Sequence, residues 1–225
     1  MSTKKVIALI LALVLVAAVS VGATLAWLTD RDTVTNVFTV GDVQIKLDET
    51  DTDEDGQPIP DDEGNPVRKE EGNEYHLIPG QTYLKDPMVT VKAGSEPSYV
   101  RMLVTINRLS ELKAIFGEDF LPEKYVTGWD NTVWPCYSMK DNGDNTLTLE
   151  FRYPTIVDAS AATEDMALPA LFTHFTVPGE VTGEQLKTIA DLTITVEGHA
   201  IQSATFADAD AAWAAFDQQY GKTNP

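Results

Sequence analysis

Asp51-Thr52-Asp53-Glu54-Asp55-Gly56 is the run whose residue types and spacing come nearest to a metal site. Alternating carboxylates followed by a glycine for the sharp turn form the first half of a calcium loop. The twelfth position falls on Asp62, where the full pattern calls for a bidentate glutamate. Aspartate reaches less far, and no helix-like sequence flanks the run. An acidic solvated loop therefore accounts for Asp51, Asp53, Asp55 and Asp62 more simply. No cofactor is expected, and calcium at this loop is the sole candidate. His76, His174 and His199 are far apart, with no His-Glu-x-x-His pair and no cysteine cluster, so they read as separate structural or surface histidines rather than zinc ligands. Cys136 sits in Trp134-Pro135-Cys136-Tyr137, where a buried thiol behaving as a small hydrophobe is expected over a nucleophile. Gly-x-Ser-x-Gly and glycine-rich phosphate loops are absent. No catalytic centre is expected, and the chain does not read as an enzyme.

The N-terminus has the three parts of an export signal: Lys4 and Lys5, an uncharged apolar run from Val6 to Val21, and small or neutral residues from Gly22 to Ala26. A retained membrane anchor from Val6 to Leu28 competes with this reading, since ~20 apolar residues span a bilayer. The small residues before Ala26 favour cleavage between Ala26 and Trp27. On that reading the membrane is met only through the signal segment before cleavage, and the remainder is secreted, to the extracellular matrix or cell surface. Cleavage removes two of the 16 basic residues and none of the 35 acidic ones, taking the net charge from −19 to −21. Such a chain repels nucleic acid and suits solubility outside the cell. With one cysteine it has no internal disulfide, so its core must come from packing.

Beyond the signal the dominant period is two. Val43, Ile45 and Leu47 alternate with polar residues, as do Leu147, Leu149 and Phe151, and Leu192, Ile194 and Val196. Val100, Met102, Val104 and Ile106 form a further alternating set. Shorter strands are expected at Tyr83-Leu84, Val89 to Val91 and Leu171 to Val177, with turns at Pro79-Gly80, Asn142-Gly143 and Pro178-Gly179. Helices are expected only at Leu109 to Phe116, after Thr182, and from Asp208 to Tyr220. This pattern predicts an all-β antiparallel β-sandwich with a few short peripheral helices. The expected organisation is a signal peptide over residues 1–26 and one sandwich domain over 27–225. Residues 48–72 are acidic and poor in large apolar side chains, and read as a long exposed hairpin loop or a disordered insertion. No internal repeat is evident.

The start of the mature chain is rich in β-formers: Thr33, Val34, Thr35, Val37, Phe38 and Val40. They suit either a first strand of the chain's own sheet or a strand donated to a neighbour's sheet by main-chain hydrogen bonds. Repeated head to tail, the second arrangement does not close and gives a filament.

Ala23-Thr24-Leu25-Ala26-Trp27-Leu28-Thr29-Asp30 resembles the signature of signal peptides cut by the SipW-type signal peptidase. Asn36-Val37-Phe38-Thr39-Val40-Gly41-Asp42-Val43 is similar to the stretch that opens the mature TasA, CalY and camelysin proteins of Gram-positive bacteria. Pro79 to Pro87, Val91 to Glu96 and Gly198 to Gln202 resemble later parts of that family. The resemblance implies a jelly-roll-like sandwich, processed by a SipW-type peptidase and self-assembling head to tail into biofilm-matrix fibres by donor-strand complementation. The donor would lie within Trp27 to Val40. Two other functions stay open: a camelysin-like cell-surface metalloprotease, for which the chain lacks a zinc signature, and a monomeric cell-surface binding module.

Overall fold

Alternation along Ser98–Ile106 sends Val100, Met102, Val104 and Ile106 to one side of a strand and Arg101, Leu103 and Thr105 to the other. The computed structural model, which describes Thr29–Thr33 and residues 43–220, places this strand at the centre of the largest sheet. In chain order the strands are β1 (Thr29–Thr33), β2 (Ile45–Thr50), β3 (Arg68–Lys69), β4 (Thr82–Leu84), β5 (Met88–Val91) and β6 (Ser98–Ile106). They continue as β7 (Val126–Thr127), β8 (Cys136–Asp141), β9 (Leu147–Arg152), β10 (Met166–Ala167), β11 (His174–Thr176) and β12 (Ile194–Gln202). The helices are α1 (Leu109–Phe116), α2 (Gly183–Thr188) and α3 (Ala209–Tyr220), with a 3-10 turn at Pro122–Tyr125. All named strand pairs are antiparallel.

Three sheets result. The first runs β1-β12-β6-β9-β8, the second β10-β5-β2-β3, and the third β4-β11-β7. Inward residues of the first (Val100, Met102, Val104, Leu149, Phe151, Val196) share one core with Ile45, Leu47, Val89 and Val91 of the second. Gly198 allows the close approach: a Cβ there would lie 3.2 Å from Val89 Cγ2. Tyr83, Val177 and Val181 form a smaller core with the third sheet. The expected all-β antiparallel architecture is present.

The helices fall where their signals predict. Thr182 and Gln185 form a reciprocal capping box at α2. Asp208 Oδ1 accepts from Ala211 N–H (2.8 Å) at the start of α3. Helix α3 docks on the outer face of the five-stranded sheet, where Trp213 and Phe216 bury against Ile201. The Arg101 guanidinium, 2% exposed, lies 4.4 Å from the Trp213 ring centroid and pairs with Asp217 and Glu150.

The acidic insertion is a hairpin, with β2 pairing with β3 and residues 53–67 exposed apart from Gly56. Its base, however, is buried and ion-paired rather than solvated. Its first residues belong to β2, and Asp48, Glu49, Thr50 and Thr52 are buried. The cause is long-range pairing. Arg68 Nε donates to Asp48 Oδ1 (2.7 Å) and its Nη1 to Asp86 Oδ2 (2.6 Å), while Lys85 Nζ donates to Glu49 Oε2 (2.6 Å). Beyond Thr50 the chain makes two equivalent turns, an internal repeat that the sequence reading overlooks. Asp53 Oδ1 accepts from the N–H groups of Asp55 and Gln57, and Asp61 Oδ1 accepts from those of Glu63 and Asn65. Each turn has its glycine at positive φ, Gly56 at 76° and Gly64 at 89°. The recurring Asp-x-x-Gly-(Gln/Asn)-Pro spelling at 53–58 and 61–66 is the signal for it.

Candidate assembly groove

Strand β1 adds to the outer edge of β12, with Thr29 opposite Ile201 and Thr33 opposite Glu197. Beyond Glu197, the described residues pair Ile194–Val196 only with β6. The inner side of that part of β12 faces an apolar cleft of about 1250 Å³ between the sheets. Val104, Phe151, Ile194 and Val196 line it from the first sheet, Leu47 from β2, and Trp129 and Phe172 from the connections. Trp129 is fixed by an edge-on contact with Phe151 (5.8 Å between centroids) and by Nε1–H donating to Trp134 O (2.8 Å).

Glu49, Asn73 and Lys85 also line the cleft. The two charged side chains are 8% and 7% exposed. Asn73 donates to Glu49 Oε1 from both its backbone N–H and Nδ2 (3.0 Å each), and Nδ2 also reaches Thr50 O (2.8 Å). Thr52 N–H donates to Asn73 Oδ1 (2.9 Å). Nearby, burial and then the charge of Glu49 push the Tyr75 phenol well above its usual range.

Of the N-terminal candidates, Thr33 ends β1. Ala26, Trp27, Val34, Thr35, Val37, Phe38 and Val40 lie outside the described residues. The calcium candidates are spread over the two turns. Asp51 pairs with Lys69 (2.6 Å), Asp53 caps its own turn, the backbone carbonyl of Asp55 accepts from Gln81, and exposed Asp62 belongs to the second turn. Among the described residues no three His, Cys, Asp or Glu side chains converge as a metal site. The histidines stay apart in role. His76 precedes β4, His174 sits in β11 beside Thr173, and buried His199 accepts from Arg101 Nε (3.2 Å) and stacks on Phe216. Cys136 is half-buried at the sheet edge rather than fully buried, and burial, with Glu123 and Glu150, pushes its thiol up, away from the reactive thiolate. Among the described residues, no helix is long and apolar enough to cross a membrane.

The groove, the Arg68 clip and the Glu49–Lys85–Asn73 cluster are the features that sequence reasoning missed. The spellings Glu49-Thr50 and Lys85-Asp86 hold the charges, but nothing local shows that they meet. Comparison with known proteins adds no relative: no family model, no curated protein and no solved structure matches the chain.

Proposed function

We propose that this chain is a secreted structural subunit with a jelly-roll-like sandwich, which assembles head to tail into extracellular biofilm-matrix fibres by exchanging its N-terminal strand. The observation that carries the reading is the apolar cleft beside the β12 edge that β1 already occupies in part. A neighbour's segment keeping the register of β1 would set Val34 opposite Val196 and Asn36 opposite Ile194. Phe38 and Val40 share the parity of Val34 and would point to the cleft. Full burial of a Val or Phe side chain is worth about 1.5–3 kcal/mol, so three anchors give on the order of 5–9 kcal/mol. Association itself costs an estimated 4–15 kcal/mol. Comparable totals make the exchange concentration-dependent, with β1 closed on its own chain when dilute and swapped when concentrated. A SipW-type peptidase cutting after Ala26 would free the donor, coupling export to assembly. Electron microscopy of the mature protein over a concentration series tests the reading: filaments support it, and persistent monomers defeat it.

The cleft itself favours one second reading, a binding module for an apolar small molecule, because its volume matches or exceeds ordinary ligand pockets. Native mass spectrometry of the secreted protein separates the two readings. A bound lipid-sized molecule on a stable monomer selects the binding module.

A further inference from the structure

Glu49 holds two groups with one carboxylate: Lys85 Nζ donates to Oε2 at 2.6 Å, and Asn73 Nδ2 donates to Oε1 at 3.0 Å. From this geometry we infer that Lys85 and Asn73 are joined by an intramolecular isopeptide cross-link, formed autocatalytically with Glu49 as the proton carrier. Asp86, the other nearby carboxylate, is taken by Arg68 and Thr50, and Lys85 is left to Glu49.

Each part that amide formation requires is present. Lys85 is the nucleophile, desolvated at 6% exposure beside a base. The Asn73 amide is the electrophile, and its carbonyl oxygen already accepts Thr52 N–H at 2.9 Å, a fixed donor aimed where negative charge develops. Asn73 is held by its backbone N–H on Glu49 and by Nδ2 on Thr50 O, so little motion remains to be lost. The two ends of the Glu49 carboxylate touch the nitrogen that attacks and the nitrogen that leaves, which suits it to take a proton from one and give it to the other.

In the reaction, Glu49 removes a proton from the Lys85 ammonium, and neutral Nζ attacks Asn73 Cγ. The resulting oxyanion is stabilised by Thr52 N–H. Glu49 gives that first proton to Nδ2, and the regenerated carboxylate takes the excess proton from Nζ. The Cγ–Nδ2 bond breaks to release ammonia, and Glu49 passes the second proton to the ammonia, which leaves as ammonium. Lysine ammonium plus asparagine amide become a secondary amide plus an ammonium ion. Glu49 ends as it began, and no oxidant or co-reactant is consumed. The link ties the return of the acidic insertion to β4 in a chain whose single cysteine rules out an internal disulfide.

Intact-mass spectrometry of the folded mature protein tests this. The expected mass lies below the sequence mass by one ammonia, about 17 Da. Tryptic digestion should give one internally looped peptide spanning residues 70–92, lighter than its sequence by one ammonia, with no cleavage after Lys85. Glu49→Gln, checked for folding by circular dichroism, should show the full sequence mass. Lys85→Arg should also restore the full mass. A succinimide at Asn73 loses the same ammonia without needing Lys85, so a deficit that persists in Lys85→Arg overturns the proposal. A folded wild-type chain with its full sequence mass also overturns it.

Discussion

Replacing Arg68 with methionine tests whether residues 48–72 are an integral part of the fold. Arg68 donates to Asp48 Oδ1 (2.7 Å) and Asp86 Oδ2 (2.6 Å), and Nη2 reaches the carbonyls of both residues (3.1 and 3.0 Å). The two carboxylates are only 5% and 16% exposed. Removing one partner of a buried pair costs about 3–5 kcal/mol, because the other charge stays desolvated. Lys46 Nζ remains 2.9 Å from Asp48 Oδ2, and Thr50 still donates to both oxygens of Asp86. Those contacts place the loss at the lower end, about 3 kcal/mol. With a urea m-value of about 2 kcal/mol/M, the unfolding midpoint should drop by about 1.5 M. Lys124→Met is the matched control: its pair with Asp119 spans 3.9 Å between side chains 53% and 88% exposed, and should cost under about 0.5 kcal/mol. A loss at Arg68 below about 1 kcal/mol would refute the reasoning and return the insertion to an independent loop.

Trp213→Ala, at a side chain 1% exposed under α3, should cost about 3–5 kcal/mol in urea unfolding; a loss near zero would mean α3 is not docked on the sheet. Gly56→Ala should destabilise more than Gly64→Ala. Both have positive φ and lose about 1 kcal/mol for the backbone, but only at Gly56 would the added Cβ meet Tyr83 Cα, at 2.8 Å. The Glu111 carboxyl is held at about 2, below its ordinary 4.5, chiefly by Asn145 Nδ2–H, then by its own backbone N–H and Ser110 Oγ–H. Because the folded value is depressed, the stabilisation is complete above pH 4.5 and is lost as pH falls through about 2. Glu111→Gln should therefore flatten the acid limb of the stability profile, and wild type and variant should converge toward its lower end.

The strands legible in the sequence are those with one buried face. Val100 to Ile106 and Leu147 to Phe151 alternate because one side meets the core, and all three helices carry their caps or apolar stripes locally. Strand β8 was not legible, since Cys136–Asp141 is an exposed edge, paired among the described residues only with β9, and its alternating apolar residues are just Tyr137 and Met139, both exposed. The two-residue strands β3, β7 and β10 are too short for any period. The insertion's exposed hairpin was legible, but its buried, paired base was not. Its order comes from Arg68 and Lys85 meeting carboxylates 18 to 36 residues away, and composition does not encode such pairings. The Asp53 and Asp61 turns were legible in principle, through a repeat eight residues long that is hidden in an acidic run. At the candidate groove, the β-forming donor segment could be read from residue types. The cleft could not, because its walls come from residues more than a hundred positions apart, Leu47 and Val196 among them.

The most direct test of the assembly account uses the mature chain from which residues 27–40 have been removed, titrated with a synthetic peptide covering residues 29–42. That peptide contains no tryptophan, so the signal comes from Trp129, Trp134 and Trp213 of the chain, and of these Trp129 lines the cleft. The account predicts that the truncated chain forms no filaments, and that the peptide binds it saturably with a change in tryptophan emission that Phe38→Asp in the peptide abolishes. Filaments from the truncated chain, or a folded truncated chain that ignores the peptide, would contradict it.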